Sequence, residues 1–308
     1  MRNAFAAEIT KLGAEDKRVV LLSGDIGNRL FDKFKDGQAE RFFNCGVAEQ
    51  NMIGVAAGMG LSGLKPVVYT INSFLLNRCY EQIRLDVAYH KLPIVLVGVG
   101  GGLGYASLGP THHSCEDVAI MRALPNMTVL CPADPVEVKF TLRAALKHDG
   151  PVFIRIGKKG EEVVHKKEPA FKIGQGLVMR EGKDICILST GVVLPLALQA
   201  AEAVAKDGHE AKVISMPTIK PLNTALLGEI FSAYRLVATV EEHNRIGGFG
   251  SAVAEWLADN PQKGRLVRFG TNDAFLHEAS TLEYAREKLG LSLGIMTKEI
   301  KETWRKVN

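Results

Sequence analysis

Cysteine is scarce in this 308-residue sequence: five residues, Cys45, Cys79, Cys115, Cys131 and Cys186, lie far apart. Odd in number and without C-x-x-C spacing, they argue against a disulfide framework or a zinc site and for a reducing compartment, with the cytoplasm as the default. Cys45 is expected to be a buried, inert thiol. Net charge is also small, only +4, too little to imply nucleic acid or a membrane surface as partner. Short basic clusters such as Lys158-Lys159 and Lys166-Lys167 read as solvated loops or contacts to small anions. No apolar run is long enough to span a bilayer. The N-terminal stretch mixes acids into an amphipathic pattern and does not read as a cleavable leader. Neither internal repeats nor low-complexity tracts are visible.

What is present is a globular composition, 46% hydrophobic and 23% charged, at a length that suggests two domains. Residues 1–17 pattern as an amphipathic helix with Phe5, Ile9 and Leu12 on one face. VVLLSGD, PVVYTI, PIVLVGVG, MTVLCP and PVFIRI read as strands, with helices over 73–90, near 116–123 and over 135–147. IGNRLFDKFKD, bearing Arg29, Lys33 and Lys35, reads as a loop. A second series follows, with strands DICILSTG, AKVISM, LVATVEEH and RLVRF separated by helices. Alternating strands and helices indicate parallel sheets. The expected fold class is therefore α/β, two consecutive parallel-sheet domains over 1–160 and 179–308. The charged, glycine-bearing stretch between them is read as a linker, 161–178.

The stretch the rest is organised around is NCGVAEQNMIGVAAGMGLSG, residues 44–63. It runs from a strand-like end into a helix with Glu49 in its first turn and with Ala56, Ala57, Gly58 and Gly60 behind it. Small residues there let a backbone or a flat ligand come close. Taken alone, Glu49 is a helix-start acid favoured by the macrodipole. GVAEQNM followed by such a helix, however, resembles the pyrimidine domain of thiamine-diphosphate enzymes, specifically the group of transketolases, deoxyxylulose-phosphate synthases and 2-oxoacid dehydrogenase β chains. The resemblance implies that Glu49 hydrogen-bonds the cofactor's aminopyrimidine, shares a proton with it and so readies the thiazolium carbon to lose its proton.

GVGGGLG, after the third strand, has dinucleotide-like glycine spacing, but no helix opens directly behind it, so a nucleotide site is not expected. Its continuation LGPTHH, with LPNMTVLCPADPVEV, is similar to transketolases and deoxyxylulose-phosphate synthases. That similarity implies that Thr111, His112 and, less directly, His113 meet the substrate. On the helix over 73–90 it implies an aromatic packed on the aminopyrimidine, either Phe74 or the neighbouring Leu75, and a substrate arginine at Arg78. The alternatives are core packing for Phe74 and a surface pair with Glu81 or Glu40 for Arg78. Lys158 lies near the family's phosphate-contacting arginine. Leu108 replaces the aspartate that contacts a sugar hydroxyl in many relatives, which departs from an ordinary pentose-phosphate role. PTIKPLN and TVEEHNRIGGFGSAVAEWL resemble the C-terminal domain of the same group, so Glu241, Glu242 and His243 are expected to be subunit-interface residues.

The Gly-Asp-Gly magnesium motif of the family is missing; GDIG at 24–27 lacks its last glycine and lies in the wrong domain. No metal ligand is therefore assigned on this chain. The resemblance implies thiamine diphosphate and Mg2+ held mainly by a separate N-terminal transketolase subunit, in a heterotetramer. The function implied is that of the C-terminal subunit of a split, transketolase-like enzyme moving a two-carbon ketol unit from a ketose phosphate to an aldehyde sugar. The competing readings are a 2-oxoacid dehydrogenase β subunit or a pyruvate-decarboxylating synthase, and a non-catalytic scaffold.

Overall fold

The first sheet grows from a buried aromatic cluster. In the computed structural model, which describes residues 1–27 and 29–307, Phe5 of helix α1 (Arg2–Glu15) stacks on Tyr69 at 5.2 Å, and Phe31 meets Tyr69 edge-on at 5.0 Å. Phe31 and Phe34 turn inward, and this draws Asp32–Gln38 into a short helix, α2, where the sequence pattern suggests only a loop. Two aromatics three apart share one helix face; the charges between them hid that signal. Asn28 of the same stretch lies outside the described residues.

Strands β1 (Val19–Ser23), β2 (Phe42–Asn44), β3 (Lys65–Ile71), β4 (Val95–Val99), β5 (Thr128–Leu130) and β6 (Val152–Ile156) are parallel. Helices α3 (Glu49–Leu61), α4 (Asn72–Gln82, continued as a π-helical turn to Tyr89), α5 (Asp117–Ala123) and α6 (Pro135–Lys147) connect them. Asp134 caps α6 by accepting from Val136 and Glu137 N–H at 2.9 and 2.7 Å, with Pro135 at the first helical position.

The second half contains β7 (Leu177–Arg180), β8 (Ile185–Ser189), α7 (Leu194–Ala205), β9 (Ala211–Ser215), β10 (Thr218–Lys220), α8 (Thr224–Ala233), β11 (Leu236–Asn244), α9 (Phe249–Asp259), β12 (Arg265–Thr271), α10 (Leu282–Lys288) and α11 (Leu293–Val307). The sheet orders are β10-β5-β6-β4-β3-β1-β2 and β12-β11-β8-β9-β7. The two parallel α/β sheets are as expected, except that each carries one antiparallel edge strand. Such an edge is common on otherwise parallel sheets. β7 begins inside the stretch read as linker. β10, from PTIKPLN, leaves the second half and pairs with β5 of the first sheet, and Cys131 N–H donates to Pro217 O at 2.7 Å beside it. One continuous apolar cluster joins the halves, with Phe153 and Cys131 on one side and Leu188, Met216 and Phe249 on the other. The cysteines are all free thiols; Cys45 is only partly buried, and burial raises its pKa.

Candidate active site

Glu49 is the first residue of α3, delivered there by a tight turn after β2. Gly46 takes φ +66, the left-handed region that suits glycine. Its N–H is held by Asn44 Oδ1 at 2.9 Å, while Asn44 Nδ2 donates to Asp25 Oδ1 at 3.1 Å. The Glu49 side chain is only 5% exposed. Its Oε2 accepts from Arg78 Nη1 at 3.2 Å, and Oε1 has no hydrogen-bond partner among the described residues. A nearly buried carboxylate with one oxygen left open fits a group that must bond a ligand atom. The small residues behind it mostly serve packing instead: Ala56, Ala57 and Gly60 face the core, and a Cβ on Gly60 would touch Ile94. Gly54 and Gly58 face outward, with open space above them.

Phe74 and Arg78 lie four residues apart on α4 and so share a face. The Arg78 guanidinium sits 4.9 Å above the Phe74 ring, and that ring meets His112 edge-on at 5.0 Å. Leu75 turns the other way and is fully buried in the core, so it does not share this face with Phe74. Glu81 and Glu40, the anticipated surface partners of Arg78, pair with Arg84 and Arg41.

The loop after β4 closes on itself at Gly102 and Ser114, which exchange N–H···O bonds of 2.9 and 2.8 Å. Within it, a 3-10 turn (Ala106–Leu108) leaves Leu108 half exposed, and Thr111 is exposed. Thr111 Oγ1 lies 2.9 Å from His112 Nδ1. Tyr105 stands between His112, at 5.8 Å, and Lys158, whose Nζ is 4.5 Å above the Tyr105 ring. Burial first, and then the Lys158 charge, hold His112 below the usual imidazole pKa of 6.5. His113 points elsewhere: it lines a cavity of about 610 Å³ together with Ser73, Asn77, Cys115, Asn244 and Phe275, and burial lowers its pKa too.

The structure thus brings Glu49, Arg78, Phe74, His112 and Lys158 into one run of contacts, with Leu108 and Thr111 on the same loop and His113 and Leu75 turned away. Sequence reasoning missed Tyr105 and the buried support beneath the run. Arg155 Nε donates to Asp117 Oδ2 at 2.6 Å, and Asn72 Nδ2 donates to the same oxygen at 2.5 Å and to Ser114 Oγ at 2.8 Å. The lone arginine inside the apolar strand PVFIRI was a visible signal of this cluster. Glu241, Glu242 and His243, expected at a subunit interface, are buried inside this chain at 2%, 1% and 1% exposure. Glu241 accepts from Phe249 and Gly250 N–H at 2.7 and 2.8 Å and so caps α9 from a distance. His243 Nε2 accepts from Ala119 N–H of the first half at 3.3 Å. Among the described residues, no group of three or more His, Cys, Asp and Glu side chains is arranged to hold a metal ion.

Residues 1–160 match the family model for the transketolase pyrimidine binding domain, and residues 174–288 match that for the transketolase C-terminal domain. A Methanocaldococcus jannaschii protein provisionally described as a transketolase C-terminal section is 38% identical, over 89% of this chain and 87% of its own. The 6-deoxy-6-sulfo-D-fructose transketolase subunit SqwH of a Clostridium species is 35% identical, over 95% of this chain and 90% of its own. A solved structure titled split gene transketolase, inactive beta4 tetramer, superposes with a TM-score of 0.92 at 35% identity, covering 100% of this chain and 99% of that one.

Proposed function

Starting from the premise that this chain belongs to the transketolase family, as a C-terminal subunit of the split kind, we propose that it completes its active site against a separate N-terminal subunit. The assembly would be a cytoplasmic heterotetramer that moves a two-carbon ketol unit from a ketose phosphate to an aldehyde sugar. The observation that carries this reading is the nearly buried Glu49 carboxylate with its open Oε1, flanked by Arg78, Phe74 and His112.

Thiamine diphosphate, when bound, supplies the carbon nucleophile that attacks the donor ketone. The residues present fit its aminopyrimidine end. Glu49 would hold a proton at Oε1 toward the ring, and Arg78 keeps the other oxygen occupied. Phe74 offers a flat apolar face, excluding water from that proton. Its diphosphate and Mg2+ are assigned to the partner subunit: Asp25 of GDIG is already tied to Asn44, and among the described residues no group of three or more His, Cys, Asp and Glu side chains is arranged to hold a metal ion. Burial, and then the Lys158 charge, lower the His112 pKa, which favours its neutral ring. It can therefore accept a proton from a substrate hydroxyl or donate one to a carbonyl oxygen, with Thr111 fixing its ring. Lys158 can hold an anionic end as a point charge.

The test is Glu49→Gln in the assembled enzyme. The change keeps shape and a hydrogen bond but removes the shared proton. Hydrogen–deuterium exchange at the thiazolium carbon and ketol transfer should both fall about 10²–10⁴-fold, as for loss of a positioned acid–base group. Normal exchange would return Glu49 to a helix-start acid.

A further inference from the structure

The loop that carries Leu108, Thr111 and His112 belongs to the first half of the chain, yet its footing comes from the second. Its neck is the Gly102–Ser114 pair. Glu242, on β11 of the other sheet, accepts the Leu103 N–H at 2.9 Å through Oε1. The fit leaves no slack: a Cβ on Gly102 would lie 2.6 Å from that same Oε1. Glu242 Oε2 in turn accepts from Arg286 Nε of α10 at 2.5 Å, and its backbone oxygen accepts from Arg155 Nη2 at 2.7 Å. Four residues farther along, Ala106 O accepts from Ser280 N–H at 3.0 Å. Beneath the loop, Leu103 and Ala106 pack on Leu276, Ala285 and Leu289, an apolar cluster separate from the three larger ones. Farther along the loop, His112 meets the Phe74 ring edge-on at 5.0 Å.

We propose that Glu242, clamped by Arg286, is a positioning residue that sets where Thr111 and His112 stand relative to Glu49. The second half of the chain thereby shapes the substrate site as well as the subunit. Glu242 is 1% exposed, and both its carboxylate oxygens are engaged, by Leu103 N–H and by Arg286. The inference rests on the reading of His112 as a substrate-contacting group. The physical reason is that the eleven-residue loop 103–113, closed by one two-bond bridge, is stiffened by its own turns and by Ser73 Oγ donating to Thr111 O at 3.4 Å, so that its placement as a unit depends on what holds its flank. Reacting groups must be held closely, and a misplacement of about 1 Å can cost about 10²-fold in rate.

The experiment is a double-mutant cycle in the enzyme assembled with its partner subunit: Glu242→Ala, His112→Ala and both together. Glu242→Ala should lower kcat/KM for the ketose donor by about 10–100-fold while leaving exchange at the thiazolium carbon, the work of Glu49, unchanged. In the His112→Ala background the same change should cost less than about threefold. Glu242→Gln, which keeps an oxygen for Leu103 N–H, should recover most of the loss. If Glu242→Ala gives no folded subunit, Leu276→Ala, which thins the apolar footing, carries the same cycle with the same expected buffering. Costs that multiply in full, or an unchanged kcat/KM, overturn the positioning role. An unimpaired His112→Ala overturns instead the reading of the site on which it rests.

Discussion

Leu108, half exposed on the same loop as His112, has no hydrogen-bonding side-chain atom, so a donor hydroxyl facing it would go unpaired at about 1–3 kcal/mol. Leu108→Asp is therefore expected to raise kcat/KM for xylulose 5-phosphate by about tenfold or more, measured against the parent with the partner subunit present. No gain in a folded variant would show that this loop does not set donor preference. At this scale the sequence was legible for types and positions, because Glu49, His112 and Thr111 sit in a recognisable pattern. It was not legible for partners. Arg78 has an acid three residues on in its own helix, Glu81, yet it turns to Glu49, twenty-nine residues away, where burial weakens the competition from water. Phe74 and Leu75 could be told apart only by which side of α4 faces the core.

The segment between the sheets, 157–176, has no helix or strand, yet it is tied down. Asp134 Oδ2 accepts from Val164 and His165 N–H at 2.9 and 3.0 Å. His165 Nε2 lies 2.8 Å from Glu137 Oε1, which also accepts from Ser215 Oγ of β9 at 2.7 Å. Burial pulls the His165 pKa down, but the hydrogen bond and charge of Glu137, with Asp134 behind it, outweigh that and raise it above 6.5. A raised folded-state pKa adds stability that is present in full below about pH 6.5 and fades as pH rises through the raised value. The Tm gap between the parent and His165→Gln should accordingly be widest in mild acid and narrow toward alkaline pH. A gap that is constant or grows with pH would remove the charged pair from the account. The charges of this segment read as solvated linker in the sequence, since the buried acids that receive His165 lie on another element.

Across the whole molecule, the first half carries the residues proposed to face the pyrimidine, while the second closes the edge of its sheet with β10 and bonds its loop through Glu242. The proposed magnesium and diphosphate site lies on another chain. Calorimetry of the purified chain with Mg2+ and thiamine diphosphate should therefore show weak binding or none, and stoichiometric binding should appear only after the N-terminal subunit is added. Tight binding without a partner would place the diphosphate site here and dissolve the split arrangement.

The sequence by itself determined the α/β class and the order of most strands and helices, and it singled out Glu49 and His112 as the candidate chemical residues. These follow from local period and from short motifs, which need no knowledge of distant chain. The tertiary structure alone decided that PTIK joins the first sheet, that Phe31 and Phe34 make a helix of an apparent loop, and that Glu242 and Arg155 are internal ties rather than surface charges. A buried charge is stable only where its partner is, and pairs such as Glu242 with Leu103, 139 residues apart, are created by folding and leave no local periodicity behind.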